Sequence, residues 1–169
     1  LYWNSDATRM PKNVHLFYLR EFYQRNRLAK GEMVMDGETL DLSAVNIPIF
    51  MQAGETDHIA PHNSVYRTAR LYASGGNKNV EYMLAGSGHI AGVVNHPDKH
   101  KYHHSTNKKL PETLDAWKRG AERFPGSWWP YWLEWLNRVS PGEAPARQPG
   151  DGGLPIIEDA PGSYVKVKS

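Results

Sequence analysis

The chain has 169 residues, 40% of them hydrophobic, and its 20 basic and 18 acidic residues give a formal net charge of +2. This balance argues against nucleic acid or an anionic membrane as the main partner. The absence of cysteine excludes disulfides and cysteine-containing metal sites, and no apolar run approaches the ~18 residues of a transmembrane segment.

The first predicted element is a helix over residues 12–30, where apolar side chains recur at a roughly helical spacing that stops at Gly31. The following stretch, 31–42, carries the turn signal Asp36-Gly37 between two short apolar runs. That pattern predicts a small hairpin or an irregular connector. We interpret it as an insertion and not as part of the core.

A strand, a helix and a second strand follow one another closely. The apolar run 45–53 predicts a buried strand, and an amphipathic helix is expected between Pro61 and Gly75-Gly76. Residues 80–84 predict the second strand. A strand, a helix and a strand in this order imply a parallel pair joined by a right-handed crossover.

Two more helices are predicted at 112–124 and 129–139, with Pro125-Gly126 between them and Ser127 as a cap for the second. From Ser140 onward, proline and glycine dominate the composition. A segment of this kind cannot build a core of its own, so an extended, weakly structured tail is expected.

Asp57 and His89 each follow one of the two central strands. In open parallel sheets the chemistry lies beyond the carboxyl ends of the strands, and an acid followed by a histidine matches the last two members of an α/β-hydrolase triad. Gly86 and Gly88 let the backbone turn sharply and place His89 at the rim of the sheet. The alternative is a turn or cap role for Asp57 and a loop histidine bonded to backbone at position 89.

The nucleophile of such a triad is missing, because the chain has neither a cysteine nor a G-x-S-x-G motif. The chain also opens on Leu1 with no initiator methionine or signal peptide. Both observations predict the C-terminal piece of a larger enzyme. A sheet edge left open by missing strands would be sticky, so we expect the piece to fold poorly alone.

Two clusters offer other interpretations. The histidines in 96–104 could suggest a metal site, but no carboxylate or cysteine completes a ligand set, and the prolines and lysines among them favour a solvated surface turn. Trp128, Trp132 and Trp135 share one helical face and could mark an interface. Packing against the sheet is the more common role of such a stripe.

Several separated motifs resemble the polyhydroxyalkanoate synthases, and the class with a single type of catalytic subunit that makes poly(3-hydroxybutyrate) is the most similar. The motifs are Leu1-Tyr-Trp-Asn-Ser-Asp6, Asp57-His-Ile-Ala-Pro61, Gly86-Ser-Gly-His-Ile-Ala-Gly-Val93, Gly126-Ser-Trp-Trp-Pro130 and the ending Ala160-Pro-Gly-Ser-Tyr-Val-Lys-Val-Lys168. The resemblance implies an α/β fold, the C-terminal part of an α/β-hydrolase with parallel strands and crossover helices, plus part of a cap. Residues 1–44 would then be cap or insertion, 45–139 catalytic domain and 140–169 a tail.

The resemblance further implies an acyltransferase with a Cys-His-Asp triad that polymerises (R)-3-hydroxyacyl-CoA, such as 3-hydroxybutyryl-CoA, and releases CoA. Asp57 would be the acid and His89 the base, while the cysteine would lie upstream of this chain, which alone would be inactive. The CoA thioester is the substrate, and neither a cofactor nor a metal is expected. The expected partners are the growing polyester, a second copy bound through the cap, and the surface of a cytoplasmic polymer granule.

Two other functions stay open. An esterase or polyester depolymerase of the same fold would use Asp57 and His89 to serve a serine, because fold does not fix function. A granule-associated module without catalysis would rely on the tryptophan stripe and on neither of these two residues.

Overall fold

The structure, a computed structural model, describes residues 9–167. The motif at residues 1–6 and the final Lys168 of the ending motif lie outside the described residues. The chain forms two compact units, one of residues Asn26–Pro141 and the other of Leu1–Arg25 together with Gly142–Ser169. No helix within the described range is long and apolar enough to cross a membrane.

The second of these units contains helix α1, Lys12–Tyr18, which continues as a π-helical turn over Leu19–Gln24. The predicted helix 12–30 is therefore too long. Asn26 takes a left-handed backbone conformation with φ 51°, which an α-helix cannot continue. Among residues 142–167, the regular structure is a single 3-10 turn at Tyr164–Lys166.

The larger unit begins with a short helix α2, Arg27–Lys30, and a hairpin. Strand β1, Met33–Met35, pairs antiparallel with β2, Glu38–Leu40. Asp36 and Gly37 both have positive φ, 50° and 81°, as the tight turn between twisted strands requires. The hairpin predicted from Asp36-Gly37 is confirmed.

The centre of this unit is a parallel pair of strands. Strand β3, Ile49–Gly54, and strand β4, Val80–Ala85, run side by side from the pair Ile49↔Val80 to the pair Gly54↔Ala85. Helix α3, His62–Ser74, connects them. The predicted order of strand, helix and strand is thus confirmed, but the first strand begins at Ile49, just after Pro48, and not at residue 45.

Two antiparallel strands extend the sheet in the order β3-β4-β5-β6. Strand β5 is His103–Thr106, helix α4 is Leu114–Arg119, and strand β6 is Glu122–Pro125. The chain is therefore a mixed α/β protein with a partly parallel sheet. The helix predicted at 112–124 is wrong beyond Arg119, because Gly120 ends it and the following residues pair with β5.

The histidine-rich stretch is only partly the surface turn that its composition predicts. Residues Pro97–Lys99 form a 3-10 turn, and His100 has a left-handed conformation that ends it. Beyond this turn the chain enters the sheet, and His104 is buried, with 7% of its surface exposed. Strand pairing, which depends on residues distant in sequence, overrides the polar local composition.

Apolar clusters cover both faces of the sheet, as the alternation of side chains along β4 requires. Tyr82 and Leu84 join one cluster with Trp117, which is fully buried. Met83 and Ala85 join the other, against helix α5, Trp129–Val139. In that second cluster, Phe50 contacts the rings of Trp128, Tyr131 and Trp135. Packing of the tryptophan stripe against the sheet is therefore confirmed for Trp128 and Trp135, whereas Trp132 is exposed and contacts the ring of Trp128.

The strand directions bring distant loops to one edge of the sheet. Because β4–β5 and β5–β6 are both antiparallel, β6 runs in the same direction as β3 and β4. The register pairs Ala85 with His104, and His103 with Pro125. Strands β3, β4 and β6 therefore end at the edge where β5 begins, and the loops after all three lie there.

Candidate functional site

Asp57 and His89 meet at this edge of the sheet. The Nδ1 atom of His89 lies 2.8 Å from Oδ2 of Asp57. The Asp57 side chain is 7% exposed, whereas that of His89 is 44% exposed. The bond occupies Nδ1, so Nε2 is the ring nitrogen that can exchange a proton with a third group.

Asp57 is held by the start of its own loop. Its Oδ1 atom accepts hydrogen bonds from the backbone N–H groups of Ile59, at 2.8 Å, and Ala60, at 2.9 Å. Burial opposes ionisation of the carboxyl, but the bonds from Ala60, His89 and Ile59 outweigh it and lower the pKa of Asp57. The turn role and the pairing with histidine, alternatives in the sequence, occur together because each uses a different oxygen.

The loop that carries His89 lies directly against the end of β3. The backbone N–H of Glu55 donates to Ala85, at 2.8 Å, and that of Thr56 donates to Ser87, at 3.3 Å. A Cβ atom at Gly54 would lie 2.6 Å from the carbonyl oxygen of Ser87. Glycine at position 54 thus permits the approach that brings the two loops together.

The loop that carries His89, here called the histidine loop, contains Gly86, Gly88 and Gly92. These glycines matter for close packing and not only for the sharp turn that the sequence predicts. A Cβ atom at Gly86 would overlap the ring of His103, so any other residue there would require that ring to move. A Cβ at Gly88 would make only ordinary contacts, the nearest at 3.7 Å from Thr56 Oγ1. The tightest backbone approach in the loop is at Gly92, where a Cβ would lie 2.6 Å from the carbonyl oxygen of Gly88.

Two groups of residues at this edge were missed by sequence reasoning. The indole Nε1 of Trp128 donates to the carbonyl oxygen of Gly92 at 2.8 Å, and that of Trp129 donates to Val93 at 2.9 Å. No sequence signal links these tryptophans to residues 36 positions earlier, because the link depends on the direction of β6.

The other missed group is polar. His103 Nε2 lies 3.0 Å from a carboxylate oxygen of Glu55, and its Nδ1 lies 2.8 Å from a guanidinium nitrogen of Arg123. His103 was predicted to lie in a surface turn, so its place beside the site had no signal. Within residues 9–167, no group of three histidine, cysteine, aspartate or glutamate residues is arranged to hold a metal ion.

A cavity of about 870 Å³ lies between β5, β6 and α5, lined among others by His104, Phe124 and Tyr131. Neither Asp57 nor His89 lines it. The acid–histidine pair therefore lies where strands β3 and β4 end and not in this cavity.

No protein-family model matches the chain. It is 50% identical over 170 residues to a poly(3-hydroxyalkanoate) polymerase of Methylorubrum extorquens. It is 48% identical over 169 residues to the poly(3-hydroxyalkanoate) polymerase subunit PhaC of Rhizobium meliloti, and 39% identical over 172 residues to that of Cupriavidus necator.

Each of these alignments covers 100% of the chain but only 27%, 27% and 28% of the respective relatives. The chain thus spans about a quarter of the length of the curated relatives that it matches. The three alignments span all of the elements described above. The chain therefore belongs, as a part of such a protein, to the poly(3-hydroxyalkanoate) polymerase family.

Proposed function

We propose that this chain supplies the acid and the base of a Cys-His-Asp triad in a poly(3-hydroxyalkanoate) polymerase with an α/β-hydrolase fold. The complete enzyme would transfer (R)-3-hydroxyacyl units from CoA to a growing polyester. The observation that carries the proposal is the 2.8 Å bond between His89 Nδ1 and Asp57 Oδ2. It joins two residues that follow parallel strands in a chain 50% identical to a polymerase.

In the acylation step, Nε2 of His89 would take the thiol proton of a cysteine supplied by the upstream part of the enzyme. The thiolate attacks the thioester carbonyl, the C–S bond to CoA breaks, and the proton leaves with CoA as its free thiol. The carboxylate of Asp57, whose pKa is lowered, stabilises the imidazolium that forms in between.

In the elongation step, the 3-hydroxyl of a bound unit must lose its proton as it attacks the next acyl carbonyl. Both oxygens of Asp57 already accept hydrogen bonds, and its side chain is 7% exposed. His89 is 44% exposed and its Nε2 is not the atom bound to Asp57. These contacts favour His89 as the base in both steps, with Asp57 as the group that orients and stabilises it.

The remaining parts of the proposal follow from membership of the family. Residues 1–44 would belong to a cap, residues 45–139 to the catalytic domain and residues 140–169 to a tail. The complete polymerase would form a homodimer through the cap and act at the surface of cytoplasmic polymer granules. The chain by itself would be inactive, because it contains no cysteine.

The test is the pair of variants Asp57→Asn and His89→Ala in the complete polymerase. We expect each to lower the rate of polymer formation by about a thousandfold or more, because the base loses its orientation or is removed. For Asp57→Asn, elongation should fall at least as much as the first release of CoA. Asp98→Asn is the matched control, because that side chain is 87% exposed in the turn after the histidine loop.

Polymer formation at the normal rate by the Asp57→Asn variant would contradict the assignment of Asp57 as the acid of the triad. The products also separate the two enzyme classes. A polymerase consumes 3-hydroxybutyryl-CoA into polyester, whereas a hydrolase with the same pair would release the free 3-hydroxy acid.

A further inference from the structure

The two consecutive tryptophans at the start of α5 both reach back to the histidine loop. Trp128 Nε1 donates to the carbonyl of Gly92 at 2.8 Å, and Trp129 Nε1 donates to the adjacent carbonyl of Val93 at 2.9 Å. An indole has one N–H group and no acceptor, so each ring makes its one possible hydrogen bond to this loop.

The carbonyl of Gly92 is connected to His89 through one further bond. The backbone N–H of Gly92 donates to the carbonyl of Gly88 at 2.8 Å, and Gly88 immediately precedes His89. The backbone N–H of Val94 donates to Ile90 at 2.8 Å. His89 thus lies inside a tight turn whose far end is held by the two indoles.

The near end of the same turn is held from the opposite side. Thr56 donates its N–H to Ser87, and Asp57 binds the imidazole of His89. The loop is therefore fixed at one end by the segment after β3 and at the other by the segment after β6. Removing the second support would leave the turn held mainly from the side of β3, through Ser87 and the bond between His89 and Asp57.

The tryptophans are themselves rigidly placed. Trp128 is 8% exposed, and its ring stacks on Phe50 of β3 at 6.1 Å with an interplanar angle of 17°. Tyr131, one turn into α5, donates to the carboxylate of Glu81 on β4 at 2.9 Å. The helix and the ring of Trp128 are thus anchored to the strands that precede Asp57 and His89.

Packing alone does not account for this arrangement. A phenylalanine could fill most of the space against Phe50, yet two adjacent indoles each pair their only donor with successive carbonyls of one loop. A buried donor that lost its acceptor would be destabilising, so the bond fixes the register of the loop as well as its contact.

We propose that Trp128, assisted by Trp129, is a positioning residue for His89. Its indole N–H holds the Gly88–Gly92 turn so that the imidazole keeps its bond to Asp57 and its Nε2 keeps a fixed place at the edge of the sheet. This role rests on the proposed function of His89 as the base of the polymerase. Trp128 touches no reacting atom and acts only through the loop.

The experiment uses the complete polymerase with Trp128→Phe, Trp129→Phe and, as the matched control, Trp132→Phe on the same helix, whose side chain is exposed. Initial rates of CoA release from 3-hydroxybutyryl-CoA give kcat and KM, and thermal unfolding reports the fold. We expect kcat to fall about tenfold in Trp128→Phe with KM unchanged, because a small displacement of a catalytic group costs rate and not ground-state binding. Trp132→Phe should keep the parent kcat.

A second variant separates the donor from the shape. Replacement of Trp128 by 3-benzothienylalanine keeps the bicyclic ring and removes only the N–H, so it should reproduce the loss of kcat in a folded enzyme. Should Trp128→Phe not fold, this variant and Trp129→Phe decide the question.

A kcat equal to that of the parent enzyme in the benzothienyl variant, or in folded Trp128→Phe, would overturn the positioning role. His89→Ala is measured alongside. If it keeps full activity, the proposed function itself fails and the inference falls with it. If it is inactive while the Trp128 variants are normal, only the inference fails.

Discussion

At the scale of single residues, the side chain of Asp57 both stabilises a local turn and binds a residue distant in sequence, His89. Its Oδ1 accepts the N–H groups of Ile59 and Ala60, and its Oδ2 faces His89. Local sequence could predict the turn, and the strand ends could predict that His89 lies nearby. No local pattern could predict the contacts of the Trp128 and Trp129 indoles, because the positions of these rings depend on strand β6. The polar residues of β6 do not indicate a strand.

His104 makes the stability of the larger unit depend on pH. Burial lowers its pKa below 6.5, a bond with the carbonyl of Gly126 opposes this shift, and repulsion from His103 adds to it. The unfolded chain therefore binds a proton more readily than the folded one. Stability is fully present above the unfolded pKa and should fall as the pH drops below about 6.5.

The measurement is urea unfolding of the chain at low protein concentration, at about pH 7.5 and about pH 5.5, on either side of the ordinary histidine pKa. His104→Phe should reduce the loss of stability on acidification. His100→Asn, a change at an exposed left-handed position that asparagine tolerates, should leave the loss unchanged. An identical pH dependence in the His104→Phe variant and the parent would contradict the assignment.

At the scale of elements, prediction succeeded where the signal was local. Strands β3 and β4 are apolar runs ended by turn residues, and the hairpin follows from Asp36-Gly37. Strands β5 and β6 have four residues each and carry histidine, serine, glutamate and arginine, so nothing local marks them. Their pairing is stabilised by neighbours distant in sequence, which no window of residues contains.

The Gly88–Gly92 turn, which contains His89, can be tested by making the same substitution at its two ends. Gly92→Ala would place a methyl group 2.6 Å from the backbone carbonyl of Gly88, so the turn must shift; we expect a loss of about 1–3 kcal/mol in the free energy of unfolding. Gly88→Ala would make only ordinary contacts, the nearest at 3.7 Å, and should be nearly neutral.

Thermal or urea unfolding of the two variants gives the comparison. In the complete polymerase, Gly92→Ala should also lower kcat, since the turn carries His89. Equal stability of the two variants would show that the turn is not as tightly closed as these contacts require.

At the scale of the whole molecule, the four-stranded sheet has two outer strands within the described residues. Strand β6 carries Glu122, Arg123 and Pro125, which discourage pairing with another chain. Strand β3 is Ile49–Gly54, an apolar run with no charge. We expect the upstream part of the complete polymerase to pair with the free side of this strand.

We therefore expect the 169-residue chain alone to self-associate with rising concentration, whereas the complete polymerase should not form such aggregates. Analytical ultracentrifugation over a range of concentrations measures this difference. A monomeric chain with a cooperative, aggregation-free thermal transition would refute it and would show that the β3 edge is protected in another way.

The direction of strand β6 has a genetic consequence. Because β6 ends at the same edge as β3 and β4, the last helix begins beside the acid–histidine pair although it lies far along the chain. A polymerase gene truncated after Thr106 would still encode Asp57 and His89, and a scan for the proposed acid and base alone would count it as intact. It would nevertheless lack the indoles that hold the histidine loop, so an intact reading frame through Trp129 is the better criterion for a functional copy.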